Sequence, residues 1–131
     1  MTIYVVEYLN IISIFLKRKL LWNNQKIGQM SLKNSGGFVA RIQFSYIDDN
    51  GEKFLSKQSD DITLGVTKTL DPGDLGVPDG MMVYMHVFVV WGRDNEAHQV
   101  FSYKKGSQAI ANYMISGTTL NNDLGLIDVI Q

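Results

Sequence analysis

The residues best suited to chemistry lie in Ser116-Gly117-Thr118-Thr119-Leu120-Asn121, followed by Asn122. A Thr-Leu pair at a loop tip offers an isobutyl group to a small apolar surface and a hydroxyl to its rim, which is binding chemistry and not catalysis. About eighty residues upstream stands a second glycine-marked segment, Ser35-Gly36-Gly37-Phe38-Val39-Ala40-Arg41. Catalytic groups are harder to assemble. His98 lies close in sequence to Asp94 and Glu96, so a carboxylate-imidazole pair can be drawn there, but no nucleophile with an oxyanion pocket accompanies it. His86 sits in the most apolar stretch of the chain and reads as a hydrogen-bonded core residue. Gly73, Gly76 and Gly80 fall in a proline-containing connection without the strand-loop-helix order of a phosphate cradle. The expectation is therefore a non-enzymatic protein with no catalytic residues, no metal and no cofactor.

Both segments must be positioned by strands. Phe38, Ala40, Ile42, Phe44 and Tyr46 alternate with Val39, Arg41, Gln43 and Ser45, the period of a half-buried strand with a wet outer face. Asp48-Asp49-Asn50-Gly51 follows, and Asn-Gly tolerates the positive φ angles of a tight hairpin. A calcium loop would need further oxygen ligands at alternate positions. Ile62, Leu64 and Val66 alternate with Thr63, Gly65 and Thr67, predicting a strand that runs to Leu70, where Asp71-Pro72-Gly73 breaks it. Met81 to Trp91 is apolar on both faces, as a central strand covered on both sides would be. Further strands are expected at about 97–104 and 108–116, with a last one over Leu124 to Ile130. Short strands, frequent turns and no convincing interior helix predict an all-β fold, a single antiparallel β-sandwich, with a closed barrel as the alternative.

The chain of 131 residues fits one domain, since single cores commonly occupy about 100–150 residues. The division expected is an N-terminal apolar extension, 1–24, and a β-sandwich domain, 25–131. Ile3 to Leu16 falls short of the about 20 residues of a spanning helix, and it lacks the basic start and small-residue cleavage site of a secretory signal. Drawn as a helix it places Glu7, Asn10, Ser13 and Lys17 on one stripe opposite an apolar face; drawn as strands, Ile3-Tyr4-Val5-Val6 fits equally well. It is the natural second cover for the doubly apolar strand.

The absence of cysteine excludes disulfides, thiolate nucleophiles and sulfur-ligated zinc. It weakly favours a cytoplasmic setting, with peripheral membrane or secreted placement left open. A formal charge of −1 argues against nucleic acid as a partner.

The order and spacing of Ser35-Gly36-Gly37-Phe38-Val39-Ala40-Arg41, Thr63-Leu64-Gly65 with Lys68, the apolar strand ending at Trp91, and Ser116-Gly117-Thr118-Thr119-Leu120 resemble the C-terminal membrane-recognition domain of the cholesterol-dependent cytolysins over roughly residues 30–121. The resemblance implies a β-sandwich whose tip loops meet a membrane. It also implies a sterol-recognising pair at Thr119 and Leu120, with Thr118 and Trp91 beside them and Arg93, Asn121 and Asn122 as polar rim. Where that family carries a Trp-rich undecapeptide with a cysteine, this sequence reads Val90-Trp91-Gly92-Arg93-Asp94-Asn95-Glu96-Ala97-His98, keeping one Trp among charged and polar groups. The pore-forming domains have no counterpart in the sequence. A looser similarity, through Gly-Phe-Val-Ala-Arg and Thr-Leu-Gly-Val-Thr-Lys, links it to stand-alone β-sandwich proteins up-regulated in nematode insulin-receptor mutants and, by general fold, to aegerolysins.

Three classes of partner follow. Membrane lipid or sterol is the first. A homo- or hetero-dimer partner held by strand edges or by the N-terminal segment is the second. The third is a sugar, lectin-like, stacked on Trp22, Trp91, Tyr103 and Tyr113 with Asn112, Asn121, Asn122 or Asp94 as polar partners. Ordinary strand and turn packing accounts for the same motifs if Leu120 points inward. The exposure of Leu120 separates these readings.

Overall fold

The structure is a computed structural model that describes residues 25–131. The N-terminal extension, its proposed covering role and Trp22 lie outside the described residues. Among the described residues ten strands run in the order β1 (Lys26–Ile27), β2 (Gln29–Gly36), β3 (Ala40–Ile47), β4 (Lys53–Leu55), β5 (Thr67–Leu70), β6 (Met82–Val89), β7 (Asn95–Glu96), β8 (Phe101–Tyr103), β9 (Ile110–Gly117) and β10 (Asn122–Ile130). They form two sheets. The first has the order β1-β8-β6-β3-β4, with β7 also paired to β6; the second has the order β10-β9-β2-β5. Two separate sheets make the fold a sandwich and exclude the closed barrel.

Alternation builds the core. Ala40, Ile42 and Phe44 of β3 and Val83, Met85, Val87 and Val89 of β6 turn inward from the first sheet. Met30 and Leu32 of β2 and Ala111, Tyr113 and Ile115 of β9 meet them from the second. Each of the larger aliphatic side chains so buried contributes about 1.5–3 kcal/mol by leaving water. The outward residues of β6, from Met82 through Tyr84 and His86 to Phe88, are half-buried, so the strand is apolar on its second face without being sealed there. The hairpin after β3 forms at the predicted place: Gly51 has φ +80°, its N–H donates to the Asp48 carbonyl at 3.0 Å, and the Asp48 carboxylate accepts from Asn50 and Glu52.

The pairing departs from a purely antiparallel pattern in two ladders. β1 runs parallel to β8, and β2 runs parallel to β9 in the middle of the second sheet. The latter register places Ser35 opposite Ser116 and Gly36 opposite Gly117, so the two glycine-marked segments are neighbours.

The strand predicted from Ile62 to Leu70 is shorter than its alternation suggested. Ile62 is buried and bridges to Ala40 of the first sheet, whereas β5 pairs with β2 of the second. Between them the chain changes sheets through a turn, with Val66 N–H donating to the Thr63 carbonyl at 3.1 Å and Gly65 at φ +85°. Leu64 and Val66, expected to share the face of Ile62, are exposed instead. After β5, Asp71 caps a short 3-10 helix, Pro72–Leu75, by accepting from Gly73 N–H at 2.8 Å.

Candidate functional site

One end of the sandwich gathers the segment 37–39, the sheet-changing turn 63–66, the loop 90–94 and the β9–β10 connection at 118–121. Asn34, fully buried near the end of β2, ties the first two together. Its side-chain amide donates to the carbonyls of Phe38 at 2.7 Å and Ile62 at 2.9 Å, and its side-chain oxygen accepts from Gly36 N–H at 2.9 Å. Its backbone reaches the turn as well, donating to the Val66 carbonyl at 3.0 Å and accepting from Gly65 at 2.6 Å. Asn34 was not singled out from the sequence. The available signal was an amide side chain inside an eight-residue strand, a poor strand former that must have a hydrogen-bonding reason to be there.

The β9–β10 connection is a tight, closed turn. Gly117 has φ +103°, and a Cβ there would lie 2.4 Å from the Asn121 carbonyl oxygen, so only glycine fits. Thr118 N–H donates to the Asn121 carbonyl at 2.9 Å, and Thr118 Oγ1 accepts from Asn121 N–H at 3.2 Å. Thr118 therefore serves the turn. Thr119 is half-buried, and Leu120 projects outward with 72% of its surface exposed. Leu120 thus does not pack inward.

The neighbouring loop is stitched to this turn. Arg93 N–H donates to the Thr119 carbonyl at 2.8 Å, and the Asn122 amide donates to the Arg93 carbonyl at 2.8 Å. Asn122 in turn accepts from the Asn95 amide through its side-chain oxygen at 2.8 Å. Of the expected polar rim, Asn122 is thus an internal strut, while Arg93 and Asn121 are exposed. Gly92 packs so closely under the turn that a Cβ would come within 2.3 Å of the Thr119 carbonyl oxygen.

Trp91 belongs to the loop, since β6 ends at Val89. It is 94% exposed and adopts φ +61°, the only non-glycine residue with positive φ among those described. An aromatic residue in left-handed backbone costs about 1–3 kcal/mol, and such strain concentrates at functional positions. Together with Leu64, 65% exposed on the sheet-changing turn, Trp91 and Leu120 put three large apolar side chains into solvent at one end.

Beneath the Trp91 loop is an ionic cluster on the outer face of the first sheet. His86 Nδ1 lies 2.8 Å from Glu96 Oε2, and His86 Nε2 lies 3.0 Å from Asp94 Oδ2. Ser45, fully buried where the sequence predicted a wet face, donates to Glu96 at 2.5 Å, and Lys53 donates to Glu96 Oε1 at 2.9 Å. Burial alone would raise the Glu96 carboxyl, but hydrogen bonds from Ser45, His86 and Lys53 and the Lys53 charge outweigh it and hold the group down at about 2. The imidazole that pairs with Asp94 and Glu96 is therefore that of His86 and not of His98. His86 faces outward from β6 instead of lying in the core. Ser45 hydrogen-bonds the carboxylate and not the imidazole, so the cluster is not a nucleophile-base pair.

The stacking platform suggested for a sugar is not assembled. Tyr103 and Tyr113 are buried, Tyr103 donating to Asp71, and Asn112 is engaged with Ser31 and Asp128. Of the aromatic residues proposed for it that the structure describes, Trp91 alone faces solvent.

The molecule is thus a two-sheet β-sandwich presenting apolar side chains on interlocked loops at one end. No protein-family model and no curated protein matches the chain. Solved structures of cholesterol-dependent cytolysins do, the group that its motifs resemble. The membrane-binding domain of pneumolysin aligns at 17% identity with a TM-score of 0.43, over 77% of this chain and 96% of that one. Listeriolysin O aligns at 18% identity and 0.42, over 79% of this chain and 22% of that one, and the human-specific toxin intermedilysin at 17% and 0.44, over 79% and 23%. The chain spans less than a quarter of the length of these whole toxins. Alignments this loose say nothing of ligand or target.

Proposed function

We propose that this domain is a non-enzymatic binding module that meets a lipid surface end-on, through Leu120, Trp91 and Thr119, with sterol as the favoured component of that surface. The carrying observation is that Trp91, 94% exposed, and Leu120, 72% exposed, stand on two loops hydrogen-bonded to each other. Rigid loops pay little ordering entropy on contact, so apolar area transferred from water appears as affinity. A leucine and a tryptophan supply about 1.5–3 kcal/mol each when buried, enough for weak attachment of a single copy and not for irreversible insertion. A threonine hydroxyl beside Leu120 suits a sterol 3-hydroxyl, as the sequence resemblance implies. Thr118 and Asn122 support the turn and do not meet the ligand.

Flotation with phosphatidylcholine vesicles, with and without cholesterol, tests the reading. The wild-type chain should float with the cholesterol vesicles, and Thr119→Gly with Leu120→Gly should abolish that dependence. Unchanged flotation of the double variant would remove the pair from the site. A dimer is the rival reading, favoured by β10, which borders the second sheet and leaves one backbone edge unpaired in the described residues. Light scattering on the full chain and on a version lacking residues 1–24 would read it.

A further inference from the structure

His86 stands between two carboxylates, one contacting each ring nitrogen at 2.8 and 3.0 Å. Carboxylate oxygens only accept, and a neutral imidazole carries a single N–H, so only the imidazolium can donate to Glu96 and Asp94 together. Asp94 belongs to the loop that carries Trp91, and its other oxygen accepts from Val89 N–H at 3.1 Å, where β6 ends. We infer that protonation of His86 locks the Trp91 loop onto the first sheet and that its deprotonation loosens the loop, making the presentation of Trp91 pH-gated. The switch itself needs no lipid; its consequence for attachment rests on the lipid-facing reading above.

The surroundings fix which contact gives way. Opposite His86 on β3 is Gln43, flanked by Arg41 and Ser45. Arg41 is paired with Asp61 at 2.6 Å and stacks over Phe88, so its charge is already engaged. Tyr84 and Phe88 flank the ring on β6 itself. From β4, Lys53 bonds Glu96 and lies 5.6 Å from the centre of the Tyr84 ring. Glu96 is across from His86 on β7, and Asp94 closes the cluster from the loop. Held at about 2, Glu96 stays an anion throughout the range in which imidazoles titrate, and the shorter Nδ1 contact to it keeps the remaining proton. Nε2 then turns a lone pair toward Asp94 Oδ2. That repulsion displaces Asp94 and with it the acceptor of Val89 N–H. The Arg93 and Asn122 bonds to the turn remain, so the loop loosens without unfolding.

The test uses the full chain with Trp22→Phe, leaving Trp91 as the one indole. Nuclear magnetic resonance from pH 5 to 8.5 would follow the His86 ring, the Trp91 indole N–H and the exchange protection of the Val89 amide, all without lipid. A charge-assisted hydrogen bond lost at Val89 should lower its protection, corrected for intrinsic exchange, about tenfold, and the Trp91 signal should shift with the same midpoint as the His86 ring. Asp94→Asn should invert the Val89 response: with its one oxygen on Val89 N–H the amide turns its NH2 toward Nε2, which suits the neutral ring and opposes the imidazolium, so protection should hold at high pH and fall in acid. A Trp91 signal and Val89 protection that ignore the His86 titration, or a Val89 step of unchanged sign in Asp94→Asn, would overturn the switch. In a second arm, attachment to phosphatidylcholine-cholesterol vesicles should be several-fold tighter at pH 5.5 than at pH 8. Equal attachment at both would overturn the gating of presentation. No attachment at either, with the lipid-free titration intact, would sink the lipid reading and leave the switch standing.

Discussion

Replacing Asn34 with alanine would test whether one buried amide holds the loop end together. Three hydrogen bonds leave with the side chain: two carbonyls, of Phe38 and Ile62, lose their donor, and Gly36 N–H loses its acceptor. A net hydrogen bond is worth about 1 kcal/mol, and a buried partner left unsatisfied costs about 1–3 kcal/mol. The cavity relieves part of this if water enters to bridge the orphaned groups. The expected loss is therefore about 3 kcal/mol, which for a domain of this size lowers the melting temperature by roughly 10–15 °C. Asn34→Asp is the sharper variant, because it keeps the volume while turning an acceptor toward both carbonyls, and it should cost at least as much. Urea unfolding followed by circular dichroism would measure both, with the denaturant slope expected to stay at the wild-type value. A loss below about 1 kcal/mol in Asn34→Ala, with unchanged slope, would refute the assignment of Asn34 as the tie between the 37–39 segment and the 63–66 turn.

The other predictions are shorter. Tyr113→Phe should leave stability unchanged or raise it by about 1 kcal/mol in the same urea assay, because the Tyr113 hydroxyl is buried without a hydrogen-bond partner among the described residues and burial pushes its ionisation upward. Gly117→Ala should destabilise by about 2 kcal/mol and weaken vesicle flotation, since it combines left-handed backbone with a clash at the Asn121 carbonyl. Glu96 is held at about 2 against an ordinary 4.5, so its folded form favours the anion. The resulting stability is complete above pH 4.5 and fades as the pH falls toward 2, by about 2 kcal/mol once the partial exposure of the group is discounted. Comparing wild type with Glu96→Gln by urea unfolding at pH 6 and pH 2.5 should show the gap between them closing in acid. Leu120→Ala should weaken vesicle attachment by about tenfold without changing the urea midpoint, as the side chain is already in water.

Much of the scaffold could be read from local pattern because local pattern caused it. The alternation through Ala40 to Tyr46 is the inner face of β3, and Asn50-Gly51 makes its turn. Three features could not be read this way. Alternation at Ile62, Leu64 and Val66 implies one strand, but Gly65 and the Asn34 bonds bend the chain from one sheet to the other, so Leu64 joins the solvent-facing tip. Ser45 looks like a wet-face residue until β4 and β7 bring Lys53 and Glu96 over it. His86 looks like core because its neighbours are apolar, and only β7 lying alongside β6 reveals its two carboxylates. Each failure is a partner distant in sequence overruling a nearest-neighbour pattern.

The parallel ladder between β2 and β9 carries an implication for how the molecule is made. Its partners are 81 positions apart in the chain, as the Ser31 to Asn112 bond illustrates, and closing so large a loop is slow. The β3 and β6 strands can meet much sooner, so the first sheet is expected to assemble ahead of the second. During biosynthesis β2 must then wait, one flank bare, until β9 has left the ribosome. The Leu120 tip would be among the last parts to take shape, so a stalled or truncated polypeptide would expose a sticky half-sandwich that lacks its loop cluster.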